Sequence, residues 1–196
     1  MNAIPGETSL TVTINSLAFM SAVTYGTVSN YNFVTFGTNT LEITGPDLIS
    51  GGTTTLFDNS VFLSQSTTYT ALADNYPQNI GVTLYVDDNS APAAGKFNLR
   101  IINSAPGLGK VDAYVVTPGA SLTGVEPTVP GLAFQAASTY LSKPIGTYEV
   151  IFTLAGQKMP YIDSGPVAFA AGQVRTFVGL NGMTGGYTDA VLMDLN

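Results

Sequence analysis

The chain has 196 residues, room for one large or two small domains, because about 100 residues suffice to bury an adequate core. Charged residues make up 10% of it, against roughly 25% in an average soluble domain, and the formal net charge is −7. With neither His nor Cys present, a Ser-His-Asp triad, a Cys nucleophile, the usual zinc sites and a disulfide framework are all excluded.

The charge is unevenly placed. Residues 1–95 hold no Lys or Arg, yet carry Glu7, Glu42, Asp47, Asp58, Asp74, Asp87 and Asp88. In the remainder Lys96, Arg100, Lys110, Lys143, Lys158 and Arg175 balance Asp112, Glu126, Glu149, Asp163, Asp189 and Asp194. An acidic half beside a neutral half argues against nucleic acid, whose phosphates need a basic surface, and against an anionic membrane surface. No segment approaches the ~20 apolar residues of a membrane span, so no direct membrane insertion is expected. No basic stretch followed by an apolar run marks a signal peptide within the sequence. Sparse charge with positive mean hydropathy leaves little repulsion between copies, so protein partners or self-association are expected.

The periodicity is that of strands throughout. Leu10-Thr11-Val12-Thr13-Ile14 alternates apolar and polar side chains, as a half-buried strand does. The same period predicts strands at Thr67–Leu72, Val82–Val86, Phe97–Ile101 and Tyr148–Phe152. Gly45-Pro46, Gly51-Gly52, Pro106-Gly107, Pro118-Gly119, Asn181-Gly182 and Gly185-Gly186 punctuate them. Short strands at ~8–12-residue spacing with such turns predict a sandwich or barrel.

The sequence also repeats. Asn2-Ala3-Ile4-Pro5-Gly6 and the strand Leu10–Ile14 correspond to Asn103-Ser104-Ala105-Pro106-Gly107 and Val111–Val115. Tyr25–Tyr31 corresponds to Phe134–Tyr140, Gly37–Ile43 to Gly146–Phe152, and Val82–Asp88 to Thr188–Asp194. Matches in one order over nearly the whole length predict two tandem copies of one fold. The Pro/Ala/Gly-rich stretch Asn89–Gly95 is the linker, which sets the domains at 1–92 and 93–196. The second copy opens with Phe97-Asn98-Leu99-Arg100-Ile101-Ile102, whereas only Met1 precedes the equivalent segment of the first. Either a cloning or processing boundary falls there or the first domain is natively short of that strand. In the latter case its open edge can accept a strand from another chain, and Phe97, Leu99 and Ile101 are the candidate side chains of such an exchanged strand.

Leu99-Arg100-Ile101-Ile102-Asn103-Ser104-Ala105-Pro106-Gly107 with Val111-Asp112-Ala113-Tyr114-Val115, then Ser138-Thr139-Tyr140-Leu141 and Pro144-Ile145-Gly146-Thr147-Tyr148-Glu149-Val150, resembles the DUF4397 domain, a bacterial family of unknown function. The first copy keeps Ser29-Asn30-Tyr31 but has Phe36-Gly37-Thr38-Asn39 where Pro-Ala-Gly-Thr-Tyr is usual. The resemblance implies immunoglobulin-like or transthyretin-like sandwiches, commonly in tandem, in exported proteins or lipoproteins. It implies no catalytic residues, and a fold does not supply a function.

Chemistry remains for the carboxylates. A glycosidase needs two of them facing each other across a bond, but Asp87 and Asp88 are adjacent on a strand and face opposite ways. Asp87-Asp88-Asn89 is instead a candidate Ca²⁺ site, with oxygen ligands at a strand end. Gly179–Gly186 reads as a hairpin loop rather than a phosphate cradle. Tyr31 and Tyr140, being equivalent, read as shared core residues. Tyr76, Tyr161 and Tyr187 stand beside Pro or Gly in predicted loops, where packing is favoured over a binding surface. The reading is therefore an all-β tandem of sandwiches, without enzyme activity or an obligatory cofactor. Its expected role is that of an extracellular or cell-surface structural or adhesive module. The rivals are a filament subunit joined by strand complementation and a carbohydrate- or Ca²⁺-dependent binding module.

Overall fold

A computed structural model describes residues 1–47 and 50–195. The chain divides into two compact units, Met1–Asp87 and Asp88–Asn196, a few residues ahead of the linker midpoint.

Unit 1 contains β1 (Asn2–Ala3), β2 (Ser9–Ile14), β3 (Leu17–Thr24), β4 (Gly37–Pro46), β5 (Thr53–Leu63), β6 (Tyr69–Asp74) and β7 (Gly81–Val86). They form two sheets, β1-β6-β7 and β3-β2-β4-β5. The period-two pattern sets the layers: Leu10 and Val12 of β2 and Leu41 and Ile43 of β4 turn inward to meet Ile4 and Ala73. Asn15 and Ser16, both at positive φ, make the tight turn between β2 and β3.

Unit 2 contains β8 (Lys96–Ser104), β9 (Val111–Val116), β10 (Val129–Leu132), β11 (Ala136–Ala137), β12 (Leu141–Pro144), β13 (Gly146–Leu154), β14 (Pro160–Asp163), β15 (Val167–Phe169), β16 (Val174–Asn181) and β17 (Tyr187–Leu195). One sheet runs β11-β8-β16-β17, with β12 also on β8; the other runs β10-β9-β13-β14, with β15 also on β13. Phe97, Leu99 and Ile101 of the first sheet pack against Val111, Ala113, Val150 and Phe152 of the second, which defines a sandwich. Phe97 stacks on Phe169 with ring centroids 4.3 Å apart. The chain is thus all-β, and Gly179–Gly186 completes β16 and forms the hairpin into β17.

The same frame recurs in both units. The parallel pair β1–β6, Asn2 opposite Ala73, has its counterpart in β8–β16, Asn103 opposite Gly179. Asn2 and Asn103 do the same work: each side-chain amide donates to two carbonyls, Glu7 and Val23 or Gly109 and Leu132. Each side-chain oxygen accepts from the main chain two residues on. That explains the repeated Asn-x-x-Pro-Gly segment as a staple between strands. The closing strands match one residue away from the sequence alignment, however, so that Asp87 rather than Asp88 is the counterpart of Asp194.

Two differences separate the units. β8 is nine residues long where β1 is two, and β11 and β12 pair with it. The corresponding segment of unit 1, residues 28–36, forms no strand. Residues 117–128 also lay Leu122 and Val125 over Tyr114 and Ile151, giving unit 2 a second small core. Unit 1 has only the Asn15-Ser16 turn there, and the outward face of β2 and β4 carries Thr13 hydrogen-bonded to Glu42.

Candidate interaction site

Each unit buries one carboxylate in the same setting. In unit 2 Asp194, on β17, accepts from Thr176 Oγ1 at 2.6 Å and from the Tyr140 hydroxyl at 2.9 Å. Arg100 from β8 completes the group. Its Nη2 lies 3.7 Å from Asp194 Oδ2, its Nε donates to Thr176 Oγ1 at 3.0 Å, and its guanidinium sits 5.0 Å above the Tyr140 ring. Arg100 and Asp194 are both buried. A charge pair out of water persists only when further hydrogen bonds serve its remaining polar atoms, and Thr176 and Tyr140 do so. Burial of nearby Arg175 pulls its pKa down, with the Asp194 charge acting in the opposite sense.

In unit 1 the carboxylate is Asp87, just after β7. It accepts from the Tyr31 hydroxyl at 2.8 Å, and Thr70 Oγ1 on β6 lies 2.9 Å from both its oxygens. The trio Tyr31, Thr70 and Asp87 therefore matches Tyr140, Thr176 and Asp194 member for member. Tyr31 is no core residue, contrary to the sequence reading. It is 48% exposed, because its ring stands at the surface and only its hydroxyl reaches inward. Tyr140, beneath Arg100, is more covered.

The remaining sequence candidates fall as follows. Asp88 does not join Asp87: its carboxylate is exposed, accepts from the Ser90 amide and has its pKa lowered by those hydrogen bonds. Asn89 buries its side-chain oxygen without a partner. Among the described residues no group of three acidic side chains gathers to hold a metal ion. Phe97, Leu99 and Ile101 are wholly buried in unit 2 itself, so exchanging them out would dismantle their own core. Tyr161 and Tyr187 pack edge to face at 5.8 Å against that core, and Tyr76 is exposed. A concavity of ≈ 290 Å³ lined by Met20–Val23 and Thr27–Ser29 is wide open and carries no titratable side chain.

The exposed apolar surface of unit 1 was not legible beforehand. Val28, Tyr31, Phe33 and Phe36 all project from residues 28–36, and Phe62 is exposed on β5. Phe33 is exposed over its whole side chain. Three aromatic residues, Tyr31, Phe33 and Phe36, are thus exposed within a coil of nine.

Fold and paired clusters define the class: a β-sandwich protein in which a buried carboxylate, a Tyr and a Thr recur on one frame. Within that class the chain belongs to the family described as a domain of unknown function, DUF4397, whose model matches residues 1–114. The match covers unit 1 and continues into β9 of unit 2. No curated protein matches the chain.

Proposed function

We propose that this chain is a non-enzymatic structural or adhesive module, exported or displayed at a cell surface, that acts through protein–protein contact. The observation that carries the reading is the apolar surface of unit 1, with Val28, Phe33 and Phe36 exposed on one irregular segment. Burying such groups against a partner contributes roughly 25 cal/mol per Å² of apolar area before the costs of association. The sparse charge of residues 1–95, all of it negative, supports a contact made through apolar and main-chain groups rather than a basic patch. Light scattering across a concentration series, with negative-stain microscopy, tests the reading. Concentration-dependent association that Phe33→Ser and Phe36→Ser together reduce supports it. A monomer at every concentration that also fails to adhere to cells would sink it.

A second reading, a subunit that assembles by strand complementation, has its own support. β1 covers only the Ala73–Asp74 end of β6, which leaves the Tyr69–Ala71 stretch of that strand as a sheet edge among the described residues. Fibres in the same micrographs would favour it over the first.

A further inference from the structure

Strand β3 bulges in the middle of its pairing with β2. Between the pairs Leu10–Val23 and Val12–Met20, Thr11 stands opposite two residues, Ser21 and Ala22. Ala22 takes a φ of 55°, a left-handed conformation that a residue with a Cβ adopts only at a cost. Unit 2 has the same bulge in β10, where Pro130 and Gly131 oppose Asp112 and Gly131 holds the left-handed place without strain. Past β3 the chain turns back, and the Thr27 amide and hydroxyl donate to the Thr24 carbonyl at 3.1 and 2.7 Å. Bulge and turn wall the open concavity of ≈ 290 Å³, whose lining includes the Ala22 methyl that Gly131 lacks. A cavity of about 150 Å³ accepts benzene, so there is room here for a phenyl ring.

The coil that supplies Val28 and Ser29 to this concavity also presents Phe33, whose side chain is exposed throughout and so does not fill it within the unit. Two anchors hold Phe33 out. Two residues before it, the Tyr31 hydroxyl donates to Asp87 at 2.8 Å. Two residues after it, the Thr35 carbonyl accepts from the Asn39 side-chain amide at 2.9 Å and the Thr35 hydroxyl donates to Asn39 Oδ1 at 3.1 Å. Such anchoring lowers the ordering cost of a contact made by the ring. Unit 2 has no such ring, because the alignment that sets Tyr31 on Tyr140 and Gly37 on Gly146 puts Ser142 of β12 in this place. Ring and concavity also share one electrostatic setting: residues 8–41 include no charged side chain.

We infer that two copies of this chain dock through unit 1 about a two-fold axis, with Phe33 of each seated in the concavity of the other. This rests on the proposed contact function and names its partner. Shape selects a second copy: a surface that carries both a projecting ring and a concavity meets itself twice, as a closed isologous contact requires. Charge selects it too. The acids of residues 1–95 would draw a basic partner elsewhere, to Glu42 or Asp58, whereas residues 8–41 offer it no carboxylate. Two copies meet there without like-charge repulsion. A desolvated aromatic ring in a pocket is the kind of anchor that dominates an interface.

The test follows the full chain by sedimentation velocity across a concentration series, with Phe33→Ala to remove the ring and Ser21→Trp to fill the concavity. Both positions are exposed, and melting curves check that both variants fold. The unaltered chain should dimerise, and each variant should do so about tenfold more weakly or worse. Mixing the two variants should restore part of the association, because Phe33 of the Ser21→Trp chain still finds an open concavity on the Phe33→Ala chain. Phe33→Trp, in a chain with no other Trp, should shift its emission to the blue as concentration rises. A monomer at every concentration, dimers that Ser21→Trp leaves intact, or a mixture no stronger than either variant alone would overturn the inference. Dimers that weaken with Phe33→Ala but not with Ser21→Trp would seat the ring elsewhere and leave the proposed contact function standing. A monomer that still adheres to cells would overturn the inference and spare that function too.

Discussion

Units 1 and 2 share a frame and differ in what covers it. Both carry the Asn staple, the parallel central pair and a buried carboxylate held by Tyr and Thr. Unit 2 encloses that frame: β8 fills the sheet, Arg100 neutralises the carboxylate, and residues 117–128 cover the outer face of β9 and β13. Lys158 further fastens this cover, donating to the Tyr114 hydroxyl and the Val125 carbonyl. Among the described residues, unit 1 leaves aromatic side chains outward instead, and β1 pairs with only the Ala73–Asp74 end of β6. The lesson is that one sandwich frame can be enclosed, as in unit 2, or carry exposed apolar side chains, as the described residues of unit 1 do.

The comparison breaks most sharply at the charge pair. Arg100→Leu takes the guanidinium away from buried Asp194, and losing one member of a buried pair costs about 3–5 kcal/mol. Asp87→Asn in unit 1 keeps an oxygen for Tyr31 and Thr70 and should cost only about 1 kcal/mol. Urea melts of the two variants check the asymmetry, and equal losses would mean the clusters are energetically alike.

Next comes the centre of the core. A Cβ on Gly179 would stand 2.4 Å from the buried Phe152 ring, whereas unit 1 has Ala73 and the smaller Ile43 in the matching places. Gly179→Ala should therefore destabilise unit 2 by about 1–3 kcal/mol. Adding Phe152→Ile should recover part of that loss, which a double-mutant melt would measure.

Glu7 gives the third contrast. It is buried with Oε2 unpartnered, where unit 2 has the core residue Leu108. Burial raises its pKa, so the folded state holds the proton more tightly than the unfolded one. The corresponding stability is fully present below the unfolded pKa and is lost as pH rises through the folded pKa. Glu7→Leu should stabilise unit 1 at neutral pH by about 1–3 kcal/mol and flatten that decline, as thermal melts from pH 4 to 7 would show. The smallest expected effect on stability is that of Phe33→Ser, within about 0.5 kcal/mol, since its side chain touches solvent rather than core.

Much of this frame was legible in the sequence. Leu10–Ile14 alternates cleanly and became β2, while Val82–Val86 and the more continuously apolar Tyr148–Phe152 became β7 and part of β13. The paired Asn-x-x-Pro-Gly segments located the repeat before any staple was visible. The carboxylate cluster was not legible, because its members come from three places in each unit and meet only through sheet pairing. Val82–Asp88 set against Thr188–Asp194 put Asp88 in the wrong register. Sequence identity cannot say which of two adjacent acids points inward; the pairing of Thr70 with Tyr85 decides that. Equivalence of Tyr31 and Tyr140 was itself a true signal, misread as packing because a hydroxyl's reach does not show in a spacing.

Amide hydrogen exchange, read at Ala71 and at its counterpart Phe177 in the free protein, tests the contrast between the units most directly. The account predicts that the Ala71 amide, on the sheet edge beside β1, exchanges much faster than the Phe177 amide, which faces β8. Equal protection at the two positions would show that the β6 edge is already covered, and would contradict an open unit 1 beside a closed unit 2.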